Sequence, residues 1–212
     1  MDNNFQYIRY KSRRNKIIKD SQYLDLLCKF SLEKNLDLVL KTKKKINLEI
    51  GFGSGELIYY RAIRDSQNYY VGSELYNPGI IQLLSKIRTY NISNIFIFQN
   101  DTRDLFYQIP DNLFHNIYIL FPDPWPKKKH HKRRLINNHF LEFIKNKFTC
   151  KVFILTDDED YAESILYDIV EYNIFTIDRM KISKTSPFHT KFSLKAIEKS
   201  NYIFTFVLSY TN

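Results

Sequence analysis

Apolar residues recur in short runs separated by amphipathic stretches, and a regular alternation begins at residue 46. Residues 46–50 predict a strand, 54–64 a helix, 69–75 a strand, and 78–90 a helix with proline near its first turn. Residues 95–98 and 117–121 read as short buried strands, 134–148 as a helix, 152–156 as a strand and 161–172 as a helix. Residues 174–180 and 202–210 read as late strands. Upstream, apolar spacing at Tyr23, Leu24, Leu27 and Phe30, then at Leu32, Leu36 and Leu40, predicts one or two short helices. Residues 1–20 are polar and basic and read as an arm. Repeated strand–helix units predict an α/β fold with a mostly parallel central sheet and helices on both faces. The expected division is an arm with short helices over residues 1–40 and one domain over 41–212.

Composition agrees with a single core. Of 212 residues, 44% are hydrophobic, which makes wholesale disorder untenable. No apolar run approaches the roughly 18 residues of a membrane span, and no apolar segment follows the N-terminal charges as in a secretory signal. The two cysteines, Cys28 and Cys150, cannot build a disulfide framework or a Cys-rich zinc site. A reducing cytoplasm is the expected location, with no membrane association and no obligate protein partner.

Charge changes the picture through its distribution. The net charge is +9, yet residues 9–19, 41–45 and 127–134 hold sixteen cations and no acid. Taking that +16 from +9 leaves −7 on the rest of the chain. An acidic body with three basic patches predicts a polyanionic partner.

All five glycines lie between positions 51 and 79, three of them in Gly51-Phe52-Gly53-Ser54-Gly55 directly after the first α/β strand. A strand, a Gly-rich turn and a helix bring backbone and helix N-terminal amides close to a ligand. In an open α/β sheet, ligands bind beyond the carboxyl ends of the strands. A dinucleotide fingerprint needs Gly or Ala where Glu56 stands, and a P-loop needs a Lys that is missing. Glu49 before the turn instead suits a ligand with a cationic end and no phosphate, such as S-adenosylmethionine. Glu74, after the next strand, is placed to accept from ribose hydroxyls, and Asp101, after the third, from an adenine amino group.

Three of six prolines fall in Phe121-Pro122-Asp123-Pro124-Trp125-Pro126, after the fourth strand. Flanking prolines make a stiff loop that presents a fixed carboxylate, Asp123, at the edge where ligands bind. The sole Trp is placed either to pack or to flank a flipped base. The run Lys127 to Arg134 follows without a gap and puts phosphate-binding charge beside Asp123. Adjacent His130 and His131 in a cationic run make poor metal ligands, so no metal is expected.

These segments resemble the bacterial tRNA (guanine-N7)-methyltransferase family, which modifies the guanosine at position 46 of the tRNA variable loop. The likeness is carried by the Glu49–Gly55 turn, Gly72-Ser73-Glu74-Leu75, Asn100-Asp101, the run from Phe121 to Arg134, Thr156 to Glu163, and Thr190-Lys191-Phe192. It implies a Rossmann-like class I S-adenosylmethionine-dependent methyltransferase fold. It implies methyl-donor contacts at Glu49, Gly51, Gly53, Gly55, Glu74, Asp101 and Asp123, with Asp123 catalytic. It implies tRNA contacts at Lys127, Asp157, Thr190, Lys191, Phe192 and Ser193. Two departures stand out. Ser193 replaces a usual Glu, and Lys195-Ala196 replaces a usual Arg and Gly. Ser lacks the charge and reach of Glu, and Lys lacks the bidentate fork of Arg.

N7 of guanine carries a free lone pair, so its methylation needs no prior proton loss. Alignment of the two reactants and electrostatic help for the developing purine cation are the terms that remain. Asp123 is therefore read as orienting and electrostatic. The competing readings are methylation of another RNA and a non-catalytic RNA-binding module on a degenerate methyltransferase fold.

Overall fold

The computed structural model describes residues 18–210, so most of the expected arm, residues 1–17, lies outside the described residues. Seven strands form one sheet: β1 (Ile46–Ile50), β2 (Tyr69–Ser73), β3 (Ile95–Phe98), β4 (Phe114–Leu120), β5 (Phe148–Thr156), β6 (Phe175–Ser183) and β7 (Ile203–Tyr210). Their order is β3-β2-β1-β4-β5-β7-β6. β1 to β5 are mutually parallel, and β7 runs antiparallel to both β5 and β6. The sheet is thus mostly parallel, as its alternating units predict.

Among the described residues, α1 (Ser21–Phe30) and α2 (Leu32–Leu40) precede the sheet, and six α-helices connect its strands: α3 (Glu56–Arg64), α4 (Asn77–Thr89), α5 (Thr102–Gln108), α6 (Asn138–Ile144), α7 (Glu159–Tyr172) and α8 (Lys191–Glu198). Side chains alternate across each strand, so both faces carry apolar residues. In β3, Phe96 and Phe98 join a core with α2, α5, α6 and α7, while Ile95 and Ile97 join one with α1, α3 and α4. In β4, Ile117 and Ile119 join the first core, while Tyr118 and Leu120 face Leu57 of α3 and Ala196 of α8. Burial on both faces is why these strands read as unbroken apolar runs.

The segment 134–148 departs from the expected helix. A 3-10 turn covers Lys128–Arg133, and α6 starts only at Asn138, where the Asn137 side chain accepts the Phe140 N–H at 3.0 Å. Upstream of that cap, the Ile136 N–H is taken by the Tyr161 hydroxyl at 2.9 Å, which holds it off a helical path. Phe148 already opens β5. Two helices had no expectation. α5 has seven residues, too few for a clear period, and starts from the Asp101 cap. α8 starts from a capping box between Thr190 and Ser193.

The loops that follow β1, β2, β3 and β4 emerge on one edge of the sheet. They carry the glycine turn, Glu74, Asp101 and Asp123 respectively.

Candidate functional site

The turn after β1 is left-handed at three points, with φ of +68° at Gly51, +55° at Gly53 and +71° at Gly55, which caps α3. A Cβ at Gly53 or Gly55 would be strained there. The other two glycines serve the same turn by close approach. A Cβ on Gly79, in the first turn of α4, would stand 2.2 Å from the Gly53 carbonyl oxygen. A Cβ on Gly72 of β2 would stand 2.6 Å from the Phe52 ring.

Beside the turn lies a cleft of about 430 Å³, within the range of small-molecule sites. Gly51, Gly53, Glu74, Asp101, Asp123 and Phe192 line it, with Trp125 and Arg133 on the wall. Residues from four strand ends and from α8 thus meet in one place.

The cleft carboxylates are not equivalent. Glu74 accepts from three backbone amides: Gly53 at 2.8 Å, Leu75 at 2.7 Å and Tyr76 at 2.9 Å. Burial raises its pKa above the ordinary value, repulsion from Asp123 adds to the rise, and the three amides oppose it. Asp101 caps α5 through the Arg103 N–H at 3.0 Å and receives the Arg103 guanidinium on both oxygens. Arg103 therefore lines the cleft as the partner of Asp101, a role the sequence pattern did not reveal. The Asp123 carboxylate makes no hydrogen bond or ion pair among the described residues. Desolvation by its surroundings raises its pKa.

The loop that bears Asp123 is bracketed by two non-glycine residues in the left-handed region, Phe121 at φ +52° and Trp125 at φ +47°. Such conformations cost on the order of 1–3 kcal/mol each and persist where surrounding contacts hold them. Here Trp125 has Arg133 over its ring at 4.8 Å and the His130 ring edge-on at 5.9 Å.

Glu49 is not part of the cleft lining. Strand alternation turns it under α3, into a void of about 10 Å³ with Arg61, Tyr70 and Tyr118. One oxygen, Oε2, is buried without a hydrogen-bond partner. Burial pushes its carboxyl up to about 8, the Ile58 amide opposes, and Glu56 and Glu74 push it further up. Gly55 also lies outside the lining, packed against Leu83 of α4.

The expected tRNA residues separate into two groups. Lys127, Lys191 and Phe192 are exposed, and Phe192 stacks on Phe121 with ring centroids 6.5 Å apart. Phe192 also lies 3.5 Å from the position a Gly53 Cβ would take, so α8 begins over the glycine turn. Asp157 is half-buried after β5 and accepts from Asn201 Nδ2 at 3.1 Å, away from the cleft lining. Ser193 is 0% exposed. Its hydroxyl accepts the Thr190 N–H at 2.8 Å and donates to the Thr190 carbonyl at 2.9 Å, while its own N–H goes to Thr190 Oγ1 at 3.1 Å. In the structure buried Thr190 and Ser193 form a helix cap. Thr-x-x-Ser thereby does what Thr-x-x-Glu does in a capping box, with a shorter acceptor.

The basic patches also divide. Lys127, Lys128, Lys129 and Lys132 are exposed beside the Asp123 loop, whereas Arg134 is buried. The patch at residues 41–45 precedes β1, at the opposite end of the parallel strands from the cleft. Five residues of β1 separate the two ends, about 16 Å at roughly 3.3 Å per residue. It does not share the cleft rim with the run at residues 127–134.

A family model described as “Putative methyltransferase” matches residues 43–206. The tRNA (guanine-N(7)-)-methyltransferase of Wolbachia pipientis wMel is 36% identical over 216 residues, covering 99% of this chain and 95% of that protein. The protein of the same name from Neorickettsia sennetsu is 34% identical, covering 97% and 91%. Among solved structures, an antibiotic-related methyltransferase superposes with a TM-score of 0.59 at 17% identity, covering 92% of this chain and 97% of that one. M. capricolum TrmK in complex with S-adenosyl-homocysteine superposes at 0.51 and 10% identity, covering 92% and 72%. These structures show that the sheet and its helices form the Rossmann-like class I methyltransferase fold.

Proposed function

The chain belongs to the tRNA (guanine-N(7)-)-methyltransferase family, and from that membership we propose that it methylates guanine N7 in tRNA, with S-adenosylmethionine as donor. The target proposed is the guanosine at position 46 of the variable loop, from the family resemblance.

The cleft suits such a donor. Its glycine turn admits close backbone approach, and the Glu74 carboxyl pKa is raised by burial and by the charge of Asp123 beside it, so a cationic ligand relieves that pair. The donor supplies a methyl group on a sulfonium: the N7 lone pair forms the new N–C bond and the C–S electrons return to sulfur. The protein's part is alignment and field. Glu74 holds the turn through the Gly53 amide and, with three amides already accepted, keeps one acceptor site for a ribose hydroxyl. Asp101, held by Arg103, faces the cleft for the adenine end. Glu49 acts from behind the turn as a buried carboxyl rather than as a cleft wall.

The observation that carries the reading is Asp123. Among the described residues it is the cleft carboxylate left without a protein partner, on a braced loop with exposed lysines immediately after it. Such a carboxylate is available to accept from the guanine N1–H and N2–H edge and to stabilise the positive charge that N7 methylation places on the purine. The lysines then meet tRNA phosphates. With tRNA as substrate, the proposed location is the cytoplasm; among the described residues no helix is long and apolar enough to cross a membrane.

The test is methyl transfer from labelled donor to an unmodified tRNA transcript, beside a transcript lacking the variable-loop guanosine and beside rRNA fragments. Label is expected only in the first. Equal labelling of the transcript without that guanosine overturns the target, and label confined to rRNA overturns the substrate class.

A further inference from the structure

Arg134 closes the basic run, where its charge would ordinarily be assigned to RNA. Its environment is different from that of its neighbours. It is 5% exposed, while Lys127, Lys128, Lys129 and Lys132 are exposed. Its Nε donates to the Pro124 carbonyl at 2.8 Å, the peptide oxygen of the residue directly after Asp123. Its Nη2 donates to the Asp160 carboxylate, Asp158 Oδ1 stands at 4.0 Å, and the guanidinium lies over the Tyr161 ring at 4.7 Å. All three of those partners belong to the cap and first turn of α7. Tyr161 in turn accepts the Ile136 N–H. The stretch from Pro124 to Ile136 is therefore tied at both ends to one helix terminus.

From these contacts we propose that Arg134 is a positioning residue for Asp123, a strut from α7 to the Pro-Asp-Pro loop and not a phosphate contact. The proposal rests on the reading of Asp123 given above. Its physical basis is twofold. The loop is bracketed by left-handed Phe121 and Trp125, so it needs restraint from outside. Pro124 has no N–H, so its carbonyl is the handle its backbone offers, and a planar guanidinium grips that carbonyl and a carboxylate at once. A lysine has no such fork. His131 Nε2 lies 3.6 Å from Asp160 as well, so Asp160 is the point where the basic turn and the strut converge.

The experiment compares Arg134→Lys and Asp160→Asn with wild type in the full chain, each also in an Asp123→Asn background. Turnover at saturating tRNA, donor binding by calorimetry, and tRNA binding at two salt concentrations are read. Both single variants are expected to lose turnover roughly 10- to 100-fold, the scale of a misplaced reacting geometry. Donor and tRNA affinities are expected to stay within about twofold. In the Asp123→Asn background neither is expected to lower turnover further, because the strut has lost its object. Held turnover with weaker, less salt-sensitive tRNA binding would make Arg134 a phosphate contact and overturn the proposal. So would an undiminished fall in the Asp123→Asn background, or a loss that only tracks the folded fraction in thermal melts. Failure of the Asp123 reading is seen separately, as near wild-type turnover of Asp123→Asn alone.

Discussion

The Glu74 carboxylate accepts the Gly53 amide hydrogen at 2.8 Å, across 21 positions of sequence. One bond joins the end of β2 to the glycine turn, so the acid expected to meet a ribose also shapes the turn that admits it. Glu74→Ala is expected to free the turn, weaken donor binding and lower stability by about 1–3 kcal/mol through unsatisfied amides. Glu74→Gln keeps one acceptor and should fall between. Calorimetry with the donor and thermal unfolding check both.

Glu49 ionises in the folded chain only near pH 8, against 4.5 ordinarily. Between those values the folded state keeps a proton that the unfolded state has lost, so stability falls as pH rises from about 4.5 to about 8. Glu49→Gln lacks that ionisation. Its Tm relative to wild type is expected to climb across the same window and level off above it. A flat difference would show that Glu49 titrates as an ordinary carboxyl.

Asp123→Ala is expected to lower turnover by about 10²-fold, the loss typical of one electrostatic group at a reacting centre. Binding of tRNA should be nearly intact, because the exposed lysines remain. Single-turnover rates beside filter binding separate the two effects.

Reversing Lys127, Lys128, Lys129 and Lys132 should weaken tRNA binding and flatten its salt dependence, by up to roughly 0.9 units of log–log slope for each phosphate no longer neutralised. The same change at Lys43, Lys44 and Lys45, at the far end of β1, should alter the slope less. Equal effects of the two sets would place RNA along the whole molecule.

Gly79→Ala would set a methyl 2.2 Å from the Gly53 carbonyl, against backbone that cannot swing aside. Donor binding is expected to weaken, with a stability loss of about 1–3 kcal/mol from overpacking. Gly51→Ala meets nothing within 4 Å and should suffer only from its φ of +68°. Melting curves and donor titrations of the pair distinguish crowding from backbone strain.

The parallel sheet is legible in the chain, because strands buried on both faces leave continuous apolar runs between amphipathic helices. The cleft's main parts are legible too, since turns at strand ends need special residues: Gly51, Gly53 and the prolines around Asp123 stand out for that reason. α5 and α8 are not, being short and fixed by their caps at Asp101 and Thr190. How like charges divide was settled only in the folded molecule. Lys127 and Arg134 look alike in a basic run, yet one faces water and the other braces Pro124 against Asp160. Glu49 and Glu74 look alike at strand ends, yet strand alternation sends one beneath α3 and the other into the cleft. Ser193 stands in the sequence as a short replacement for a usual Glu, and its burial and capping bonds to Thr190 appear only in the fold. One cause is common to all three. A side chain's chemistry is local, but its solvent exposure and partners come from residues distant in sequence.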